Sequence, residues 1–319
     1  MTGSPFPPTP SAGIRGGRRG DADLLLVPGS LAALVAERTC AALACGALQR
    51  IDTEQRLVDD GGVPFLVHVV SSVRRKAVAG GARSAAARPA QNPFLPPEPE
   101  LTVGVISRSH LMVLNKFNVL ERHLLIVTRD FEDQQSLLGA ADFRALYACL
   151  AEYPALGFYN GGRVAGASQE HKHLQLVPLP FDGAWCGLPM APLLSGEGPR
   201  CPHLPFAHAF GRLPAALVGQ PVPSAQAAHA LYRRLLADLG IAGERSADGE
   251  LQSAPYNLLV AGDWMLVVPR VAECWQEISI NALAFAGSLF VRDREQLELI
   301  RSAGPLSILQ AVAGGGAVG

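Results

Sequence analysis

The twenty residues YNGGRVAGASQEHKHLQLVP, positions 159–178, decide how this chain is read. On an extended backbone successive side chains point to opposite faces, so His171, His173 and Gln175 share one face while Lys172, Leu174 and Leu176 share the other. If the leucines face a core, the imidazoles face a cleft. Just upstream, Gly166, Ala167, Ser168 and Gln169 make a turn whose amides can converge on an anion and whose small side chains let a phosphate approach. An imidazole with one nitrogen held by an acceptor and the other free is a nucleophile at neutral pH. His173, in mid-strand, suits that role. A nucleotidyl group carried on imidazole stays activated, which favours transfer to a second acceptor over hydrolysis. Gln175 can donate its amide to a phosphate oxygen without competing for the proton. Two histidines at this spacing can also decorate a solvated sheet face; Asn160, the Gly161-Gly162 pair and the small-residue turn favour a phosphate-handling site.

Outward from this stretch, short β-branched or alternating runs at 63–70, 101–106, 111–114, 124–128, 157–160 and 173–177 read as strands. Residues 256–260 and 264–268, separated by Ala261, Gly262 and Asp263, read as a hairpin. Residues 30–48, 140–153, 224–239 and 292–303 carry helical spacing. Strands and helices do not alternate regularly, so the expectation is an α+β fold with a mixed, mostly antiparallel sheet flanked by helices. Segments 79–99 and 178–223 are rich in Pro, Gly or Ala and read as loops. The expected organisation is a flexible leader at 1–23, one catalytic domain over 24–313 and a flexible tail at 314–319.

The 319 residues are 49% hydrophobic and 17% charged, enough for a sizeable core, and 27 basic against 28 acidic residues leave a net charge of −1. No general attraction to nucleic acid or to a membrane follows, so any phosphate must be held by local donors. No apolar run reaches the roughly 18 to 20 residues of a membrane span. Six dispersed cysteines without a Cys-x-x-Cys pair fit a reducing cytoplasm. Cys186, Cys201, His203 and His208 match no zinc spacing, and no metal site is expected in the chain. Glycine-rich nucleotide fingerprints of the usual kinds are absent.

The run from Gly166 to Gln175 resembles the signature of the diadenosine tetraphosphate phosphorylases, also called ATP adenylyltransferases, within the histidine triad superfamily. Asn115-Lys116-Phe117-Asn118 followed by His123-Leu124-Leu125-Ile126-Val127-Thr128 is similar to that family's strand pair before the helix, and Tyr256-Asn257-Leu258-Leu259 with Trp264-Met265-Leu266 to its C-terminal hairpin. The resemblance implies a histidine-triad-like fold and reversible phosphorolysis of diadenosine tetraphosphate to ATP and ADP, through an adenylyl group on His173. It implies catalytic roles for His171, His173 and Gln175, the last standing where hydrolytic relatives carry a third histidine. It also implies that Asn115, Lys116, Asn160, Gly166, Ala167, Ser168 and Gln169 hold polyphosphate and ribose, that Lys76 contacts phosphate, and that Asn257, Met265 and Arg270 border the nucleotide. His68 stands where the family would carry an arginine.

Structural alternatives accompany several of these. Lys116 could be a strand-end charge, Lys76 part of a solvated charge run, Met265 a core residue and Asn257 a turn residue, while His110 and His123 read as structural or solvated. A divalent cation such as Mg travelling with the nucleotide is left open, as is the choice between monomer and homodimer. Two other functions compete: a hexose-1-phosphate uridylyltransferase relative, against which Lys172 stands where Pro is usual, and a nucleotide sensor without turnover.

Overall fold

The computed structural model describes residues 23–70, 92–181, 187–195, 198–246 and 249–314. Lys76, Cys186, most of the expected leader and residues 315–319 lie outside them. In chain order the elements are α1 (Leu31–Ala44), β1 (Thr53–Asp60), β2 (Val63–Val70), β3 (Thr102–Val105), β4 (His110–Leu114), β5 (Leu124–Thr128), α2 (Ala140–Leu150), β6 (Ala155–Gly161) and β7 (His173–Pro178). Then follow β8 (Ala209–Arg212), α3 (Pro221–Asp238), β9 (Gly243–Ser246), β10 (Gly249–Gln252), β11 (Tyr256–Ala261) and β12 (Trp264–Pro269). Last come β13 (Cys274–Trp275), β14 (Ile278–Ser279), β15 (Ser288–Val291), α4 (Arg294–Ala303) and α5 (Pro305–Ala313).

Eight strands form one sheet in the order β3-β4-β5-β7-β6-β11-β12-β8, every neighbouring pair antiparallel. A small sheet, β1-β2-β15, contains the one parallel pairing among the described strands, β2 with β15. The expected mixed, mostly antiparallel sheet flanked by helices is what the chain builds. Alternation sorts the central strands between two cores. Leu258, Val260, Met265 and Val267 face a core with Phe143, Leu146 and Tyr232 of α2 and α3. Leu259, Leu266 and Phe158 face another with Phe65, Leu289, Ile300 and Ile308 of the small sheet, α4 and α5.

This second face positions the cleft. Val113, Leu125, Gln175, Phe158, Leu259, Leu266 and Phe210 lie directly opposite one another across successive strands, forming one row on one side of the sheet. Directly paired residues share a face. From Phe158 to Phe210 the row is buried against the second core. The other end, Val113, Leu125 and Gln175, lines an open cleft instead.

Several elements depart from the sequence reading. β1 was not expected, because its polar residues leave only Val58 buried in an edge strand. β8 lies inside the stretch read as loop, and α3 begins at Pro221 rather than at 224, since proline is tolerated in a first helical turn. α5 was also missed; Gly304 separates it from α4 and Pro305 opens it.

Candidate active site

His173 opens β7 and is 4% exposed. Its Nδ1–H donates to the carbonyl of His171 at 2.8 Å, which fixes the tautomer and leaves Nε2 unprotonated. Burial pulls its pKa down to about 4, against the weaker opposing effect of that hydrogen bond. The ring is therefore neutral at physiological pH. Its backbone N–H donates to Gln134 Oε1 at 2.8 Å, and Gln134 Nε2 donates to the carbonyls of Asn160 and His173 at 2.9 and 3.2 Å. One buried amide thus ties the start of β7 to the end of β6.

His171 has both nitrogens engaged. Nε2–H donates to the Thr128 carbonyl at 2.8 Å, and Nδ1 accepts from Asn92 Nδ2 at 2.9 Å. Burial lowers its pKa as well, although the bond to Thr128 resists. Phe131 meets its ring edge-on, and Phe94 packs against both His171 and His173. His171 holds the His173 ring in place through its carbonyl and does not line the cleft.

The cleft brings together His173, Gln175, Ser168, Gln169, Asn115 and Lys116, walled by Phe94, Leu101, Val113, Phe117 and Leu125. Lys116 Nζ pairs with Glu98 at 2.6 Å. A larger cavity of about 650 Å³ opens beside Tyr147, Leu188, Val218 and Trp264, but no histidine lines it, whereas His173 lines the smaller cleft of about 190 Å³.

The turn before β7 is narrower as a cradle than its sequence implies. Gly166 N–H donates to the Arg163 carbonyl at 2.9 Å and Ala167 N–H to that of Gly162 at 3.2 Å, so both amides are used within the turn. The amides of Ser168 and Gln169 make no hydrogen bond among the described residues. Gly166 has φ +91°, and a Cβ there would lie 2.9 Å from the Ile280 carbonyl, so it shapes the turn by its missing side chain.

Asn160, Asn257 and Arg270 stand behind the turn instead of in the cleft. Asn257 Nδ2 donates to Asn160 Oδ1 at 2.9 Å and to the Ala165 carbonyl at 2.8 Å. Arg270 donates to Asn257 Oδ1 at 2.6 Å and to the carbonyls of Ala165, Ala272, Glu273 and Val312. Burial pulls its pKa down to about 10, so it remains a cation whose donors are spent on the framework. Met265 is fully buried in the first core. Asn160, Asn257 and Arg270 brace the turn through these hydrogen bonds, and neither they nor Met265 is among the residues lining the cleft.

On the opposite face of β7, Lys172 Nζ pairs with Asp142 at 2.8 Å and Glu132 at 2.9 Å. His110 Nε2–H donates to the other oxygen of Asp142 at 3.0 Å. Burial alone would raise the carboxyl pKa of Asp142, but the His110 hydrogen bond and the Lys172 charge outweigh it and hold the value at about 2. His68 is buried in β2 and stacks on Phe290, 4.9 Å between ring centres. His208, considered for zinc, accepts from the Cys201 amide through Nε2 and donates Nδ1–H to the Phe206 carbonyl, and so braces its own loop.

The sequence reading missed Gln134 and Asn92, polar loop residues whose partners are distant along the chain. It also left His123 as structural or solvated. That ring is 7% exposed and bonded to Gln175, with Nε2 2.8 Å from Oε1.

An antiparallel sheet that sets a neutral imidazole beside a small-residue turn and an uncharged amide defines a nucleotidyltransferase. Two family models divide the chain between them: the Ap4A phosphorylase N-terminal domain matches residues 21–196 and the ATP adenylyltransferase C-terminal domain matches 202–314. The chain belongs to the Ap4A phosphorylase family. It is 29% identical to diadenosine 5',5'''-P1,P4-tetraphosphate phosphorylase 2 of Saccharomyces cerevisiae over 66% of this chain and 71% of that one. Protein APA1 of the same organism is 26% identical over 84% of this chain and 89% of its own length. The crystal structure of yeast Ap4A phosphorylase Apa2 matches with a TM-score of 0.72 at 25% identity, covering 92% of this chain and 97% of that chain. Apa2 has also been solved in complex with AMP and with Ap4A.

Proposed function

We propose that this protein cleaves diadenosine tetraphosphate with phosphate to give ATP and ADP, in two transfers through His173. Nε2 attacks the α-phosphorus of one adenylyl group, the bond from that phosphorus to its bridging oxygen breaks, and ATP leaves. Phosphate then attacks the adenylyl-histidine, the P–N bond breaks, and ADP forms while Nε2 recovers its lone pair. The observation that supports this most is the neutral His173 ring, its Nδ1–H spent on the His171 carbonyl, in a cleft shared with Gln175, Ser168 and Gln169. Ser168, Gln169 and Gln175 would hold the phosphoryl oxygens. Lys116 would exchange Glu98 for the polyphosphate. A charge-assisted contact of this kind contributes roughly 1.5 to 3 kcal/mol. The cysteines described are unpaired, in keeping with a reducing cytoplasm as the place of work.

The test is incubation with diadenosine tetraphosphate and phosphate, with product analysis and a search for an acid-labile AMP adduct on His173. ATP and ADP in equal amounts, with the adduct trapped when phosphate is omitted, is the expected result. A tight complex with neither adduct nor product would make the protein a sensor and end this proposal.

A further inference from the structure

We propose that His123 is a positioning residue: it fixes the orientation of the Gln175 amide, so that the NH₂ group faces the phosphoryl group being transferred. The inference rests on the reading of Gln175 as a phosphoryl donor group, and it assigns the transfer step a residue behind that group.

A glutamine amide can present either its oxygen or its nitrogen, and only the nitrogen can donate to a phosphoryl oxygen. Here a chain of hydrogen bonds starting from a group that cannot be reversed removes the choice. The backbone N–H of Phe117 can only donate, and it donates to Asn115 Oδ1 at 3.3 Å. Asn115 must then turn Nδ2 toward His123, whose Nδ1 accepts at 3.2 Å. With Nδ1 accepting, the ring proton sits on Nε2, which donates to Gln175 Oε1 at 2.8 Å. The Gln175 NH₂ is left pointing away from His123, on a residue that shares the cleft with His173.

Every link is held by the sheet. Asn115 follows β4 and His123 precedes β5, and the Asn115 N–H to His123 carbonyl bond, 2.9 Å, continues the pairing of those strands. Gln175 lies opposite Leu125 on one side and Phe158 on the other. The His123 ring tilts against Phe158, 5.8 Å between ring centres, which limits its rotation. Burial lowers the His123 pKa to about 4, aided by the neighbouring His173 and opposed by the bond to Gln175, so the ring stays neutral and Nδ1 keeps its lone pair.

The experiment pairs kinetics with a direct view of the ring. Loss of one oriented donor to a developing charge costs up to about 10² to 10³ in turnover, and a freed amide still points correctly part of the time. His123→Leu should therefore lower kcat about ten- to a hundredfold with KM changed by less than about threefold. His123→Gln, which can accept with its oxygen and donate with its nitrogen, should recover kcat to within about threefold of the native value. In a Gln175→Ala background His123→Leu should change kcat by less than about twofold, because the group it orients is gone. A loss as large in that background as in the native chain would overturn the proposal, as would native kcat in His123→Leu. Independently of turnover, nitrogen-15 NMR of the native protein should show His123 protonated on Nε2 and bare on Nδ1 from pH 5 to 8; protonation on Nδ1 reverses the chain and also overturns it. A native protein without phosphorolysis would instead remove the functional reading, and the tautomer measurement would still decide the direction of the chain.

Discussion

At the scale of single residues, His173 carries the sharpest expectations. His173→Ala and His173→Gln should abolish adenylyl transfer, with the thermal midpoint nearly unchanged and no acid-labile adduct by mass spectrometry. Retained turnover would remove the covalent scheme. In the proposed scheme the neutral ring attacks, and its pKa is held at about 4, so the rate of adduct formation should be level from pH 8 to about 5 and fall only as pH drops through about 4. A midpoint near 6.5 would mean that the ring is hydrated. His173 and Gln175 were legible in the sequence because period-two alternation puts both on one face. The partners that hold them were not. Gln134 and Asn92 reach the histidines from 39 and 79 residues away along the chain. No local pattern encodes such a distance, and a single glutamine in a loop carries no signal of its own.

At the scale of elements, β7 works with both faces. One presents His173 and Gln175 to the cleft; the other inserts Lys172 between Asp142 of α2 and Glu132. Removing one member of a buried ion pair leaves an uncompensated charge, at a cost of about 3 to 5 kcal/mol. Lys172→Met should therefore lower urea stability by about 3 kcal/mol. Adding Asp142→Asn to it should cost less than the sum of the two single changes. The turn before β7 depends on Gly166, where alanine would meet both a left-handed backbone and the Ile280 carbonyl. Gly166→Ala should destabilise the protein by more than about 1 kcal/mol and weaken substrate binding, seen in the thermal midpoint and KM. The sequence announced this turn as an anion cradle, yet two of its amides close the turn itself. Composition reveals a small-residue loop, whereas the direction of each N–H depends on the 3₁₀ turn at Arg163–Ala165, which the sequence does not mark.

Over the whole molecule, the titrating groups set an acid limit. His123 and His173 each have a pKa near 4 in the fold against 6.5 as the ordinary value, so between those pH values the unfolded chain binds more protons. Stability should rise with pH from 4 to about 6.5 and then level off. Asp142, at about 2 against 3.8, adds a further loss below that window. Urea midpoints from pH 4 to 8 would check the sign; a midpoint that falls as pH rises to 6.5 would contradict it. The general architecture could be read in advance because its central strands are strongly patterned. β1 and β8 could not, since edge strands and proline-flanked strands lack that pattern.

The pairing of β6 with β11 joins the parts of the chain matched by the two family models, and Asn257 and Asn160 meet there although 97 residues separate them. A protein made from the N-terminus therefore acquires His173 well before the strand that pairs with β6. Until β11 emerges from the ribosome, that edge of β6 has no strand to pair with, and the turn before β7 has no Asn257 or Arg270 to brace it.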